Sequence, residues 1–193
     1  SLLDQLVQAA PADYPNVFLL GVTDSDKGPL QQFLKSQPGI VAAGELIPMI
    51  PARLQRIDGH APEESGAGQR DRGYFRHEFS LTWAAELPPD SRIVQGAWWR
   101  PPYREPMVSV EEHAAERMGL ELGNTLEFES SGKIIKARVS SIRSAEFDRP
   151  GTSNQFLFSP GSLEDLPASY VGTVRAEPPA VAASEPRLVF VGA

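Results

Sequence analysis

The segment from residue 124 to residue 143 alternates apolar and polar residues on both sides of Ser131-Gly132, and no other pattern constrains the fold more. A two-residue turn at Ser131-Gly132 pairs Phe128 with Ile135. It also places a set of apolar side chains on one face: Leu126, Phe128, Ile135, Ala137 and Val139. A slip of one residue would mix the two faces, so the sequence predicts a β-hairpin with a well-specified register and one buried face.

The opposite face of this hairpin is charged, and the same register pairs Glu127 with Lys136. Residues 108–130 hold six Glu and one Arg, whereas residues 131–143 hold four basic residues and no acidic one. We interpret this face as solvated, paired charges in preference to a binding patch, because exposed ion pairs are common and weak.

Composition excludes several functional classes. The 193-residue chain has no Cys, 18 Lys and Arg against 25 Asp and Glu, a net charge of −7, and 18 Pro. Without Cys there is no disulfide framework, thiolate metal site, iron–sulfur cluster or Cys nucleophile. The net charge argues against a nucleic-acid backbone or an anionic membrane surface as the main partner. The proline content predicts many short elements joined by stiff turns.

The order of predicted elements indicates an α+β fold in two lobes. The chain begins with a strand, a helix and extended chain, and it ends with two strands around a Pro- and Ala-rich link. These ends can form one split βαβ sheet of the ferredoxin-like or porter type. The predicted boundaries are residues 14–58 plus 165–193 for this lobe and residues 74–160 for an inserted β-rich lobe. Two further segments complete the division: a mobile loop at 59–73 and an N-terminal helix at 1–13.

Three local patterns within the inserted lobe predict further elements. Residues 74–83 alternate apolar and polar side chains, which predicts a half-buried strand. Residues 93–99 are expected to form another short strand. Ser109 and Glu112 have the spacing of a capping box, so we expect a helix from Val108 to Gly119, where glycine suits the left-handed terminal position.

The chain shows no strong catalytic signature. His60, His77 and His113 do not share metal-ligand spacing, and no GxSxG, GxGxxG or GxxxxGK[ST] motif occurs. We therefore predict no catalytic, cofactor-binding or metal-binding residue, and we favour a binding or transmission domain over an enzyme.

Aromatic residues offer the one candidate interaction surface. Trp98 and Trp99 are adjacent, and Tyr103 follows them in an Arg- and Pro-rich connector. If this segment is a strand, neighbouring side chains point to opposite faces, so at most one Trp belongs to the core. The other Trp either lies under a loop or faces a partner, and both alternatives stay open.

Three stretches carry a resemblance to a known family: EFSLTWAAELPPDSRIVQGAWW (78–99), VSVEEHAAERMGLELGNTLEFESSGKIIKARVSSIR (108–143) and FSPGSLEDLPASYVGTV (158–174). Together they resemble the extracytoplasmic, MacB-like periplasmic core domain of FtsX/MacB-type ABC transporter permeases. SLTWAAELP and DLPASY are most similar to the large YbbP-like subgroup. The resemblance covers nearly all of residues 14–175.

The resemblance implies a domain on the periplasmic side of the inner membrane, between transmembrane helices that lie outside this chain. It implies a porter-like lobe built from both chain ends, an inserted β-rich lobe, and a membrane-proximal helix at 1–13. It implies no active site and no cofactor. ATP would be hydrolysed by a separate cytoplasmic subunit, and the domain would contact an envelope protein, such as a lipase-like one, or a lipid-like cargo.

One departure and two alternatives remain. The family has a helix before its last strand, whereas residues 177–184 are short and carry Pro178 and Pro179, so the last strand could pair differently. The first alternative is a lipid or ester hydrolase that uses His77 or His113. The second is a free-standing protein-binding module.

Overall fold

The structure is a computed structural model that describes residues 15–64, 74–145, 154–177 and 187–190. It is a mixed α/β fold in which the described residues form many strands and few helices. The strands are β1 (Val17–Val22), β2 (Ile40–Ala43), β3 (Ile47–Ile57), β4 (Phe79–Trp83), β5 (Ser91–Gly96), β6 (Met107–Glu111), β7 (Thr125–Ser130), β8 (Lys133–Ala145), β9 (Phe156–Phe158), β10 (Ser169–Ala176) and β11 (Arg187–Phe190). The α-helices are α1 (Asp24–Ser36) and α2 (Glu112–Met118).

The chain divides into two compact units. Unit one combines both chain ends, Ser1–Pro48 and Ala168–Ala193, and unit two is the continuous segment Met49–Pro167. These bounds differ from the predicted ones, because residues 50–57 of β3 pair with β4 and β7 and therefore belong to unit two. The predicted helix at 1–13 and residues 65–73 of the predicted mobile loop lie outside the described residues.

Unit one contains a sheet in the order β11-β1-β10-β2. Its core forms around Leu19, Val22 and Val174, against which Leu30 and Leu34 of α1 pack. The spacing of those two leucines brings them to one face of the helix, as expected for an amphipathic helix on a sheet. The helix begins after Thr23, whose side-chain oxygen accepts the backbone N–H of Asp26.

The last strand departs from the predicted ferredoxin-like split. In that fold the strand in the position of β11 runs antiparallel to β1, but here β11 is parallel to β1, with Val17 opposite Arg187. Because β10 is antiparallel to β1, β10 and β11 also run in opposite directions. A parallel crossover needs a dozen or more residues, usually in a helix. The ten residues that separate β10 from β11, 177–186, are fewer than such a crossover needs, and three of them are proline.

Unit two closes a ring of six strands. β3 pairs with β4, β4 with β9, β9 with β6, β6 with β8, β8 with β7, and β7 with β3 again. β5 is not one of these six strands, and it pairs with β8. Closure of a sheet into a barrel removes the unpaired strand edges that otherwise invite aggregation.

The interior of the ring is filled by apolar side chains. Phe79, Phe128, Phe156 and Phe158 form an aromatic cluster with ring-centroid distances of 5.0 to 6.3 Å. Their interplanar angles of 70 to 88° give the edge-to-face packing that aromatic rings favour.

The hairpin predicted at residues 124–143 is confirmed. Phe128 lies opposite Ile135, and Glu127 lies opposite Lys136. Ser131 and Gly132 have φ values of 50° and 80°, the two positive angles that a tight hairpin turn of this type requires. The charged face is paired as expected, because Glu127 lies 3.5 Å from Lys136.

The capping-box prediction is wrong, although the helix ends at Gly119 as predicted. Ser109 lies in β6 between β8 and β9, and its hydroxyl accepts a hydrogen bond from Ser141. The helix therefore starts later, and Glu111 caps it. Long-range strand pairing has overridden a local helix signal.

Two predicted strands are shorter than expected. Residues 74–76 form a single 3-10 turn and β4 begins only at Phe79, so His77 is exposed. β5 ends at Gly96, before the two tryptophans.

Candidate functional site

The paired tryptophans lie outside a strand, which removes the argument that they must face opposite ways. Gly96 ends β5 with a φ of 77°. The rings of Trp98 and Trp99 then lie against each other with centroids 3.8 Å apart and an interplanar angle of 31°. Trp99 is 4% exposed and Trp98 is half-buried.

Both indole N–H groups are held by the preceding turn. Trp98 Nε1 donates to the carbonyl oxygen of Ala85 at 3.0 Å, and Trp99 Nε1 donates to that of Ala84 at 2.8 Å. The rings are therefore fixed in position, and the buried indole N–H of Trp99 has a hydrogen-bond partner.

An open groove runs beside these rings. We call it the Arg–Trp groove, and it is lined by Ala85, Glu86, Leu87, Ala97, Trp98, Trp99 and Arg100. Tyr103 is half-buried and is not among the lining residues. The structure thus brings together two of the three aromatic residues that the sequence suggested as an interaction surface.

The sequence reasoning missed the charge of this region. Residues 91–104 contain three arginines and no acidic residue, in a chain whose net charge is −7. Arg92, Arg100 and Arg104 are exposed. Within the described part of the chain, none of the three has an ion-pair partner. A count of charges in this window would have revealed the feature.

Glu111 and His113 form a hydrogen-bonded carboxylate–imidazole pair at the start of α2. Glu111 Oε1 lies 2.8 Å from His113 Nδ1 and also accepts the backbone N–H of His113, while Oε2 accepts that of Ala114. Burial pushes the pKa of Glu111 up, but these hydrogen bonds outweigh it, and the net effect is a pKa below the ordinary value. The hydrogen bond to Glu111 raises the pKa of His113.

Arg143 is a second buried charge that the sequence did not suggest. It is 1% exposed, and its guanidinium donates to the backbone carbonyls of Ser109, at 2.8 Å, and Asn154. Burial lowers the pKa of Arg143 to about 10, while Glu111 and Asp90 oppose this shift. The side chain therefore carries its charge at neutral pH.

The remaining histidines are not assembled into a site. His60 lies in the exposed turn after β3, and His77 lies beside Phe79 with ring centroids 4.4 Å apart. Over residues 15–64, 74–145, 154–177 and 187–190, no three His, Asp or Glu side chains are grouped to hold a metal ion.

Comparison with known proteins relates the chain to ABC transporter permeases. No family model matches the chain. Over 176 residues, or 91% of its length, the chain is 31% identical to the ABC transporter permease YbbP of Escherichia coli (strain K12). Nearly all of this chain is therefore similar to one segment of a YbbP-like ABC transporter permease. It spans 21% of the length of that relative.

A solved structure gives a looser likeness to another permease domain. It is a domain of a protein assigned as a permease from Porphyromonas gingivalis, with a TM-score of 0.40 and 13% identity, covering 82% of this chain and 70% of that one. Within the described residues of this YbbP-like chain, no helix has the length and hydropathy needed to cross a membrane.

Proposed function

We propose that this chain is a non-catalytic, periplasmic domain of an inner-membrane ABC permease. In this role it transmits motion that a separate cytoplasmic subunit drives by hydrolysing ATP. The observation that carries the proposal is the alignment with YbbP, which takes in 91% of this chain but 21% of the permease. A match of that kind is typical of one domain within a much larger transporter.

Residues 1–13 are the membrane-proximal segment in this proposal, and transmembrane helices outside this chain connect it to the rest of the permease. Unit one, built from both chain ends, is the porter-like lobe in this proposal. Unit two is the inserted lobe.

Contact with an envelope protein or a lipid-like cargo is assigned to the surface around Trp98, Trp99 and Tyr103. A lipase-like periplasmic protein is one partner of this kind. Trp98 supports the assignment because its ring is half-buried yet rigidly held, which reduces the entropy lost when a partner binds.

Cysteine labelling in whole cells tests the periplasmic location. Because the chain has no Cys, Ile134→Cys would introduce a single thiol at a side chain that is 60% exposed. In a full-length permease without other cysteines, we expect a membrane-impermeant maleimide to label this thiol in intact spheroplasts. Leu126→Cys, at a fully buried position, is the control for labelling of unfolded protein. Labelling that requires cell lysis would refute the location.

An ester hydrolase is the second candidate, because the Glu111–His113 contact resembles the pair that orients a catalytic imidazole. However, both carboxylate oxygens of Glu111 accept backbone N–H groups at the start of α2, which favours a structural role. We expect no turnover of p-nitrophenyl butyrate by this chain. Turnover that is lost in His113→Ala but kept in His60→Ala would support the hydrolase instead.

A further inference from the structure

We propose that the Arg–Trp groove, with Arg92 and Arg104 close to it in the sequence, binds an acidic face of a folded protein. The proposal rests on the function proposed above, because it specifies which partner that surface would take. It goes further by naming the chemistry of the partner and the side chains that recognise it.

Charge complementarity is the first argument. Arg100 lines the groove beside Trp98, and Arg92 and Arg104 flank it along the chain. Glu86 is the groove's own acidic residue, but it does not reach ion-pair distance of Arg100 in the described structure. Glu105, next to Arg104, is also exposed, but its carboxylate pairs with Arg138. The three arginines therefore leave a local excess of positive charge on a chain that is otherwise acidic. Guanidinium groups of this kind bind carboxylates in a bidentate manner.

Residue types supply the second argument. Protein interfaces are enriched in Trp, Tyr and Arg and depleted in Lys, and these three types also dominate binding hot spots. Residues 91–104 contain two Trp, one Tyr and three Arg, and no Lys. The apolar part of the groove, formed by Ala85, Leu87 and Ala97, would exclude water around the charged contacts.

A protein fits this surface better than an anionic bilayer does. The net charge of −7 repels a large, uniformly negative membrane surface, because the whole chain contributes to that interaction. A protein face the size of the groove meets only the locally basic part of the chain. Electrostatic attraction over such a limited area raises the association rate and selects the partner.

The test measures binding of defined probes to the immobilised 193-residue chain. The probes are a short peptide that alternates Glu and Leu, its twin with Gln in place of Glu, and phosphatidylglycerol vesicles. We expect the Glu peptide to bind more tightly than the Gln twin, and the binding to weaken at about 0.5 M NaCl, where charges are screened.

Variants assign the binding to the groove. We expect R100Q/R104Q to weaken the apparent affinity for the Glu peptide by about tenfold, and Trp98→Ala by about fivefold. The matched control is R53Q/R76Q, which removes the same charge from two exposed arginines elsewhere in unit two. It should retain nearly all binding, and circular dichroism checks that every variant is folded.

Three results would overturn the proposal. The first is equal or absent binding of the two peptides. The second is the same loss of affinity in the control pair as in R100Q/R104Q. The third is Arg100-dependent binding of the vesicles without binding of the Glu peptide, which would assign the groove to a membrane. None of these results bears on the labelling experiment, so the periplasmic location stands or falls separately.

Discussion

Arg143 connects three strands of unit two through one buried side chain. Its guanidinium reaches from β8 to the carbonyl of Ser109 in β6 and to that of Asn154, just before β9. We expect Arg143→Ala to lower the free energy of unfolding by about 3–5 kcal/mol, because it removes both donors and opens a cavity.

Urea denaturation measures the free energy of unfolding that Arg143→Ala loses. Arg143→Met keeps most of the volume and should cost less than the alanine variant. Arg53→Met, at an exposed position, should change stability by less than about 0.5 kcal/mol. Equal midpoints for the variants at positions 143 and 53 would show that the buried guanidinium contributes nothing.

His113 provides a pH-dependent contribution to stability. The hydrogen bond and charge of Glu111 raise its pKa, and the charges of Glu116 and Glu112 act in the same direction. A basic group with a raised folded-state pKa stabilises the fold below its ordinary pKa, and this contribution disappears as pH rises through the folded-state value. Urea unfolding should therefore separate wild type from His113→Gln most below about pH 6.5, and progressively less above it.

His60→Gln is the matched control for this measurement, because His60 lies in an exposed turn of the same unit. A difference between wild type and His113→Gln that stays constant over the whole pH range would contradict the role of the Glu111 contact. At the residue scale, no pattern in the sequence marks Arg143, because its hydrogen-bond partners Ser109 and Asn154 lie in other segments of the chain.

At the level of elements, two glycines have similar positive φ values but different surroundings. Gly96 at the end of β5 and Gly132 in the β7–β8 turn have φ values of 77° and 80°. A Cβ at Gly96 would lie 2.3 Å from the carbonyl oxygen of Ser140, whereas a Cβ at Gly132 meets nothing within 4 Å.

We expect Gly132→Ala to cost about 1–2 kcal/mol, the ordinary penalty for an L-residue in the left-handed region. Gly96→Ala should cost clearly more, because backbone atoms must also move apart. Thermal unfolding of both variants measures the difference, and similar losses would mean that the β5–β8 pairing adapts without cost.

The bounds and register of an element were predictable where residues close together in the sequence determine them. The β7–β8 register follows from alternation over twenty residues and a two-residue turn, so Phe128 and Ile135 pair as expected. The start of α2 was not predictable, because β6 gains partners on both sides that are far away in the chain. The end of β5 before Trp98 depends on a single glycine and not on the apolar run around it.

At the scale of the whole molecule, unit two is continuous in sequence and closes on itself, whereas unit one needs both chain ends. We expect a fragment of residues 49–167 to fold alone. A fragment of residues 59–167 should not fold, because without β3 the strands β4 and β7 each lose a partner. Amide dispersion in NMR spectra of the two fragments distinguishes folded from unfolded, and equal dispersion would show that ring closure is dispensable.

The sequence predicted an inserted β-rich lobe at residues 74–160, but it did not predict that strands of unit two close into a ring. Its closure depends on six pairings, and that between β3 and β7 joins residues 69 to 76 positions apart, such as Arg53 and Glu129. No periodicity in the sequence encodes a contact of that range.

The parallel pairing of β1 with β11 determines how unit one would respond to a pull. The chain enters β1 at Val17 and leaves β11 at Phe190, and these residues lie at opposite ends of the paired strands. Tension that pulls Val17 and Phe190 apart along the strand direction loads all the hydrogen bonds between β1 and β11 at once, in shear. In the antiparallel arrangement the same tension would open the bonds one after another, like a zipper. A lobe strained in shear behaves as a stiff link, and it passes displacement on without first coming apart.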